Sequence, residues 1–73
     1  MPKQLPVTKR FGLRVQMLRK KLGWSQETFA EVCNLDRTYI SGIERGIRNV
    51  SLKNIEALAN GLGVSLSELF KDI

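Results

Sequence analysis

The sequence contains no histidine and only one cysteine, Cys33. Because histidine and cysteine are the usual ligands of structural and catalytic zinc, we expect no metal site within the chain. A single cysteine also excludes a disulfide within the chain. Cys33 falls on the packing side of a short helical pattern, so we expect it to be a buried small hydrophobe in a reducing cytoplasm.

Long apolar runs are also missing from the sequence. No stretch approaches the roughly 20 apolar residues that a membrane span requires, and the N-terminus lacks the apolar core of a signal peptide. No internal repeat, low-complexity tract or second domain is visible. We therefore expect a soluble, cytoplasmic protein that does not contact membranes and is associated with the nucleoid when it is bound there.

The groups that carry catalysis are absent in the same way. No nucleophile and base, paired carboxylates or metal ligands come together in the pattern, so we do not expect an enzyme. With 73 residues the chain is one small domain. It can bury only about 60% of the surface that its unfolded form exposes, so contact with a partner chain would add to its stability. It has no room for a separate ligand domain, and we expect neither a cofactor nor a small-molecule ligand.

Positive charge is what the chain has in excess. Lysine and arginine total 12 against 7 aspartate and glutamate, which gives a net charge of +5 and a pI near 9.9. This balance fits a chain that meets a polyanion. Many basic proteins bind no nucleic acid, however, so the charge alone does not show whether this chain is a nucleic-acid-binding protein.

The pattern around residues 26–45 predicts two short helices joined by a tight turn. Ser25 is placed to cap a helix from about Gln26 to Cys33. Asn34 tolerates the left-handed conformation of a sharp helix exit, and Asp36 can cap the second helix only a few residues later. A turn this short predicts a helix-turn-helix.

The second of these helices has two different sides. At about 100° per residue, one side is expected to pack and the other to stay free. The free side carries arginine and hydroxyl groups, which suit base edges and phosphates in a major groove, although a plain solvated face is the alternative. The packing side contains Asp36, Ile40, Ile43 and Glu44, and the free side contains Arg37, Thr38, Ser41, Gly42 and Arg45.

Three further helices are predicted around this unit. Residues 1–7 form a basic arm that is either disordered or in contact with phosphates, and residues 8–73 form the folded domain. Thr8 caps a first helix that ends near Leu22 and is stopped by Gly23; its stripe is Phe11, Val15, Leu18 and Leu22. The charged residues beside that stripe are expected on a solvated face: Arg10, Arg14, Lys20 and Lys21.

The fourth and fifth helices complete the all-α, compact five-helix bundle. Ser51 caps a helix that closes the core, and Gly61 and Gly63 then break the chain. Ser65 and Glu68 form a capping box that opens a last helix to about Asp72. The fourth helix presents Leu52, Ile55, Leu58, Ala59 and Leu62, and the fifth presents Leu66, Leu69, Phe70 and Ile73. Together with Val64, this last face is either a lid on the core or a dimer patch.

Residues 11–70 resemble the Cro/C1-type (XRE-like) regulators, whose fold is the phage-repressor-like DNA-binding domain. The resemblance lies in Leu18-Arg19, Trp24-Ser25-Gln26, Phe29-Ala30, and the run from Arg37 to Ser41 leading into Ile43-Glu44-Arg45-Gly46. Within the family, RTYISGIERGIRNVSLKNIEALA looks most like the controller proteins of restriction-modification systems, which are small dimeric regulators. Two departures are Asn34, where the family usually has glycine, and Gly42, where relatives often carry a base-reading side chain.

The resemblance implies a sequence-specific, dimeric transcription regulator that binds a pseudo-palindromic operator in double-stranded DNA and autoregulates. The alternative is a phage-type repressor or an antitoxin-like protein-interaction module on the same fold. Arg37, Thr38, Tyr39 and Ser41 are expected to contact bases, and Ser25, Gln26, Arg45, Arg48 and Asn49 to contact phosphates. Arg19 and Glu44 are expected to form an ion pair. The expected homodimer interface is Val64, Leu66 and Phe70, with Leu69 turned to its own core.

Overall fold

The computed structural model describes residues 4–73, and these fold into five α-helices with no strand among them. The expected all-α, five-helix architecture is confirmed. Residues 26–44 form the helix-turn-helix, and the principal extents of the described chain are 32 × 23 × 22 Å. The helices are α1 (Val7–Lys21), α2 (Gln26–Cys33), α3 (Arg37–Glu44), α4 (Leu52–Leu62) and α5 (Leu66–Leu69).

Side-chain caps begin four of the helices, as their sequences predict. Ser25, Ser51 and Ser65 each accept a hydrogen bond from the backbone N–H three residues later, at 3.0 to 3.2 Å. Asp36 accepts from the backbone N–H of Thr38 at 3.0 Å. Each bond satisfies one of the orphan donors of a helix N-terminus, which explains why these helices begin where they do.

α1 begins differently from the prediction. Thr8 is not its cap, because the helix already starts at Val7 behind Pro6, whose carbonyl accepts from the backbone N–H groups of Lys9 and Arg10. Of the expected arm over residues 1–7, residues 1–3 lie outside the described part of the chain. Residues 4–6 form a turn that leads into the helix.

The helix ends follow local backbone preferences with one exception. Asn34 (φ 56°) and Gly63 (φ 72°) adopt the left-handed conformation at the ends of α2 and α4. Gly61 does not break the chain, since it lies within α4. A Cβ there would come 2.5 Å from the Cys33 Sγ, so this glycine lets α4 pack closely on α2. Cys33 itself is half-buried rather than buried.

The core lies between α1, α3 and α4 and is closed by α2 and α5. α1 crosses close to the end of α3 at Gly12, where a Cβ would lie 2.3 Å from the Ile43 carbonyl oxygen. The buried apolar residues are Phe11, Val15, Leu18, Phe29, Ala30, Ile40, Ile43, Leu58, Ala59, Leu62 and Leu69.

Two leucines predicted to pack are exposed instead. Leu22 is 47% exposed and Leu52 is 76% exposed. Each lies at an end of its helix, where the neighbouring helices no longer cover it. Helical spacing predicts the side of a helix that a residue faces, but it does not predict how far along the helix the core extends.

The expected solvated arginines and the last helix also need correction. Arg14 is buried, and its Nη2 donates to the Glu68 carbonyl and carboxylate, both at 2.6 Å. The Glu68 side chain therefore turns to Arg14. Of the two hydrogen bonds of the predicted capping box, residues 4–73 show only the one that the Ser65 hydroxyl accepts from the Glu68 backbone N–H. α5 ends at Leu69 rather than near Asp72, whose φ is 64°. No helix within residues 4–73 is long and apolar enough to cross a membrane.

Candidate nucleic-acid interface

α3 presents most of the side that the sequence predicts to be free. Arg37, Thr38 and Arg45 are exposed and Ser41 is half-buried, whereas Ile40 and Ile43 on the other side are buried. Within residues 4–73, no ion pair or side-chain hydrogen bond engages the Arg37 guanidinium. Its five donors are therefore available to an acceptor outside the chain.

The burial of Asp36, the cap of α3, and of Gly42, within α3, is the reverse of what the sequence predicts. Asp36, expected on the packing side, is exposed, because its carboxylate caps the helix from the outside. Gly42, expected on the free side, is buried. The side chain of Arg48 covers it, and a Cβ at residue 42 would lie 2.9 Å from the Arg48 Cγ.

The cap of α3 also orients Thr38. The Thr38 hydroxyl donates to the Asp36 carboxylate, which accepts the Thr38 backbone N–H as well. These bonds lower the pKa of Asp36, the side-chain bond from Thr38 being the largest cause. With its proton committed to Asp36, the Thr38 hydroxyl can offer a ligand its oxygen lone pairs and its methyl group.

Arg19 and Glu44 form an ion pair that is buried at the base of the helix-turn-helix. The Arg19 Nε and Nη2 donate to the two Glu44 carboxylate oxygens at 2.7 and 2.9 Å, and Nη1 donates to the Trp24 carbonyl at 2.6 Å. The Gln26 amide nitrogen donates to the same carboxylate at 3.0 Å. The Arg19 guanidinium thus balances the negative charge of Glu44, and one amide hydrogen of Gln26 remains for an outside acceptor.

The N-terminus of α2 lies beside this pair. The Ser25 hydroxyl accepts from the Thr28 backbone N–H at 3.0 Å and donates to the Thr28 Oγ1 at 3.1 Å. Its side chain is therefore occupied by capping. Gln26 is half-buried. The remaining orphan N–H groups of the first turn and the second amide hydrogen of Gln26 are the groups that can bind an anion there.

The loop after α3 folds back onto the helix. The Arg48 guanidinium carbon lies 5.5 Å from the centroid of the Tyr39 ring, and Asn49 is exposed. Tyr39 is half-buried, and its hydroxyl accepts from the Asn54 side chain at 3.1 Å. Asn54 was not among the predicted site residues, because a contact between α4 and α3 has no signal in local sequence.

We call Leu52, Val64, Leu66 and Phe70 the C-terminal apolar surface; the expected dimer interface comprised the last three of these residues. Leu66 and Phe70 are 44% and 39% exposed, whereas Val64 is half-buried and packs on the core. Leu69 is fully buried, as expected. The exposed Leu52 lines a shallow surface groove together with Leu66, Lys53 and Glu56. The Phe70 ring stacks on Phe11 at 5.2 Å between centroids, so only one of its faces is free.

Comparison with known proteins gives close matches over most of the chain. The helix-turn-helix family HTH_3 matches residues 15–69. The control protein C.MunI of Mycoplasma sp is 58% identical over 65 residues, which cover 88% of each chain. The restriction-modification controller protein C.AhdI from Aeromonas hydrophila has a similar structure, with a TM-score of 0.84 and 51% identity over 86% of this chain and 91% of that one.

A further solved structure contains nucleic acid. It is the restriction-modification controller protein C.Esp1396I as a tetramer in complex with its natural 35 base-pair operator. Its TM-score to this chain is 0.76, with 38% identity over 88% of this chain and 95% of that one.

Proposed function

This chain belongs to the helix-turn-helix family HTH_3, and on that premise we propose that it is a sequence-specific, dimeric regulator of transcription that binds double-stranded DNA. Its similarity to C.MunI and C.AhdI supports a narrower role as the controller protein of a restriction-modification system. It acts in the cytoplasm, where the DNA is, and by binding rather than by catalysis.

The observation that carries the proposal is the exposed side of α3. A helix whose opposite side is buried in the core is held rigidly, and a major groove is wide enough to admit it. Arg37 lies at its N-terminal end without an ion-pair partner among residues 4–73, and the chain has a net charge of +5. A rigid helix with a free guanidinium on a basic domain is suited to reading base edges.

The proposed contacts divide into those that read sequence and those that fix the register. Base contacts come from α3, and phosphate contacts come from its C-terminal end, from the N-terminus of α2 and from the loop after α3. Ser25 contributes through its backbone, because its hydroxyl caps α2. The proposed base contacts are Arg37, Thr38, Tyr39 and Ser41, and the proposed phosphate contacts are Ser25, Gln26, Arg45, Arg48 and Asn49.

Dimerisation is proposed through the C-terminal apolar surface of Leu52, Val64, Leu66 and Phe70. One recognition helix reads only a few base pairs, so a single domain discriminates poorly among the sites of a genome. Two copies related by a two-fold axis double the length of sequence that is read, provided that their α3 recognition helices lie about 34 Å apart. The tetramer of C.Esp1396I on its operator supports an assembly of more than one copy.

Under this proposal, the concentration of the protein controls how far its operator is occupied and therefore how much is transcribed. A dimer that binds its operator more tightly than the monomer makes occupancy rise steeply with concentration, which suits a regulator of its own gene. The exposed apolar surface also fits the alternative of a protein-interaction module, in which a different protein covers Leu52 and Leu66 and DNA is not bound selectively.

Selection of bound sequences from a random duplex pool tests the proposal. We expect enrichment of a pseudo-palindrome whose half-sites are centred about ten base pairs apart. The affinity for the selected duplex should fall steeply with salt, because phosphate contacts release counterions. A pool in which no sequence is enriched, with weak binding to every duplex, would favour the protein-interaction module.

A further inference from the structure

Gly42 occupies a position where glycine is not needed for backbone conformation. It lies in the middle of α3, and the residues with positive φ do not include it. Glycine is unfavourable inside a helix because it loses more conformational entropy than alanine on folding. What the missing side chain provides is space: the three heavy atoms nearest to a Cβ at this residue all belong to Arg48, with Cγ at 2.9 Å and Nε at 3.1 Å.

A second contact holds the other end of the same side chain. The Arg48 guanidinium lies over the Tyr39 ring, 5.5 Å from its centroid, within the range of a cation–π interaction. The ring is held in turn, since it packs against the core and its hydroxyl accepts from Asn54 of α4 at 3.1 Å. Arg48 thus rests on two fixed surfaces, although the residue itself is exposed.

We propose that Gly42, Tyr39 and Asn54 form a seat that holds the Arg48 guanidinium against α3 before DNA is bound. Gly42 and Asn54 are then positioning residues, and neither needs to touch DNA: Gly42 acts on Arg48 directly, and Asn54 acts on it through Tyr39. The inference rests on the proposed function, because it assumes that Arg48 contacts DNA. In this arrangement, the Arg48 side chain covers the surface of α3 at Gly42, which has no side chain of its own.

The expected benefit is preorganisation. A free arginine at the surface samples many rotamers, and ordering one such side chain on binding reduces affinity by roughly two- to tenfold. An arginine that is already seated avoids most of this loss. Displacing Arg48 from its seat should therefore weaken DNA binding without changing the charge of the protein.

A double-mutant cycle of Gly42→Ala and Arg48→Ala tests the seat, measured as affinity for the selected duplex. Gly42→Ala in the wild-type background should weaken binding by roughly two- to tenfold. The same substitution in Arg48→Ala should change affinity little, because the side chain that the new methyl group displaces is gone. Asn54→Ala, which removes the bond to the Tyr39 hydroxyl, should weaken binding more in the wild-type background than in Arg48→Ala. Any loss that remains without Arg48 belongs to the proposed base contact of Tyr39.

Two measurements on the free protein distinguish displacement of the Arg48 side chain from a general loss of folding stability. The Tyr39 ring current should shift the NMR signals of the Arg48 side chain in the wild type, and Gly42→Ala should abolish that shift. Stability in urea should not fall in Gly42→Ala, because alanine favours the helix and the atoms it meets belong to a side chain that can move away.

The outcomes distinguish this inference from the proposed function. If the wild type selects no sequence, the proposed function fails whatever the variants do. If the wild type binds selectively but Gly42→Ala leaves affinity unchanged, the seat does not contribute and the inference is wrong. Equal losses from Gly42→Ala with and without Arg48 would also overturn it, because they would place the effect of the methyl group elsewhere.

Discussion

The Arg19 guanidinium and the Glu44 carboxylate meet in the interior through two hydrogen bonds, at 2.7 and 2.9 Å. Arg19 comes from the last turn of α1 and Glu44 from the last turn of α3, and they are only 7% and 3% exposed. The pair ties the recognition helix to α1. It also orients Gln26, whose amide donates to the same carboxylate.

Removing one member of this pair should leave the other as a buried, uncompensated charge. We expect Arg19→Met to lower the free energy of unfolding by about 3 kcal/mol, measured by urea denaturation. The double variant Arg19→Met/Glu44→Met should recover much of the loss, because it leaves no charge behind.

The second ion pair of the described chain provides a control for this prediction. Glu68 binds Arg14 at 2.6 Å, but its side chain is 46% exposed. Glu68→Gln should therefore cost no more than about 1 kcal/mol, because water already screens the exposed Glu68 carboxylate and the buried Arg14 still donates to the backbone carbonyl oxygens of Glu68 and Leu69. Equal costs for Arg19→Met and Glu68→Gln would show that burial of the first pair does not control its contribution.

The free guanidinium of Arg37 should determine sequence preference. An arginine that donates two hydrogen bonds to a guanine contributes about 1 to 3 kcal/mol of discrimination against other bases. We therefore expect Arg37→Ala to weaken binding to the selected operator far more than binding to random duplex. Arg45→Ala, at the other end of α3, should weaken both to a similar extent if Arg45 contacts phosphate. The assignment of Arg37 to a base would be wrong if its loss affected both duplexes equally.

Local signals explain why the helix-turn-helix could be predicted from sequence. α2 was expected over residues 26–33 and has those bounds, because Ser25 caps its start and Asn34 accepts the left-handed conformation at its end. Asp36 starts α3 in the same way. Caps and turns depend on neighbours within a few residues, and that information is present in the sequence alone.

Burial depends on distant parts of the chain and was predicted less well. Arg14 lies beside the apolar stripe of α1, and its burial follows from carbonyl and carboxylate groups of Glu68, 54 residues away. Gly42 is covered by a loop residue, Arg48. Leu52 fits the stripe of α4 by spacing but projects past the end of the core. Periodicity gives the direction of a side chain, whereas the partner that meets it is a property of the whole fold.

Cys33 should be an unreactive thiol in the folded protein. Burial raises its pKa to about 11 from an ordinary value of 9.0. At pH 8 this lowers the fraction of thiolate roughly 100-fold, and thiolate is the form that reacts. We expect alkylation in buffer to be slower than alkylation in denaturant by about that factor. Equal rates in the two conditions would contradict the shift.

The same shift predicts a dependence of stability on pH. The folded protein keeps the Cys33 proton to higher pH than the unfolded chain does, so deprotonation favours unfolding. The contribution is fully present below pH 9 and is lost progressively as the pH rises from 9.0 to about 11. Cys33→Ala should lose less stability than the wild type over this range, which is measured by urea denaturation at each pH.

The C-terminal apolar surface should control dimerisation. Leu52 and Leu66 line one groove and are 76% and 44% exposed, so neither is required by the core of its own subunit. Burying two such leucines against a second copy would remove apolar area from water without disturbing DNA contacts on α3. We expect Leu52→Asp and Leu66→Asp each to raise the dimer dissociation constant by at least roughly tenfold, because a charge would be buried in the interface.

Met17 on α1 provides the matched control, because it is also an apolar residue of 44% exposure. Met17→Asp should leave dimerisation unchanged in light scattering or sedimentation over a concentration series. The Leu66→Asp monomer should still bind a single half-site, with the salt dependence of one subunit, because its reading surface is intact. A wild type that stayed monomeric at tens of micromolar and yet bound the full palindrome tightly as one copy would contradict a dimer. If Leu52→Asp and Leu66→Asp dimerised as well as Met17→Asp does, the interface would lie on another face.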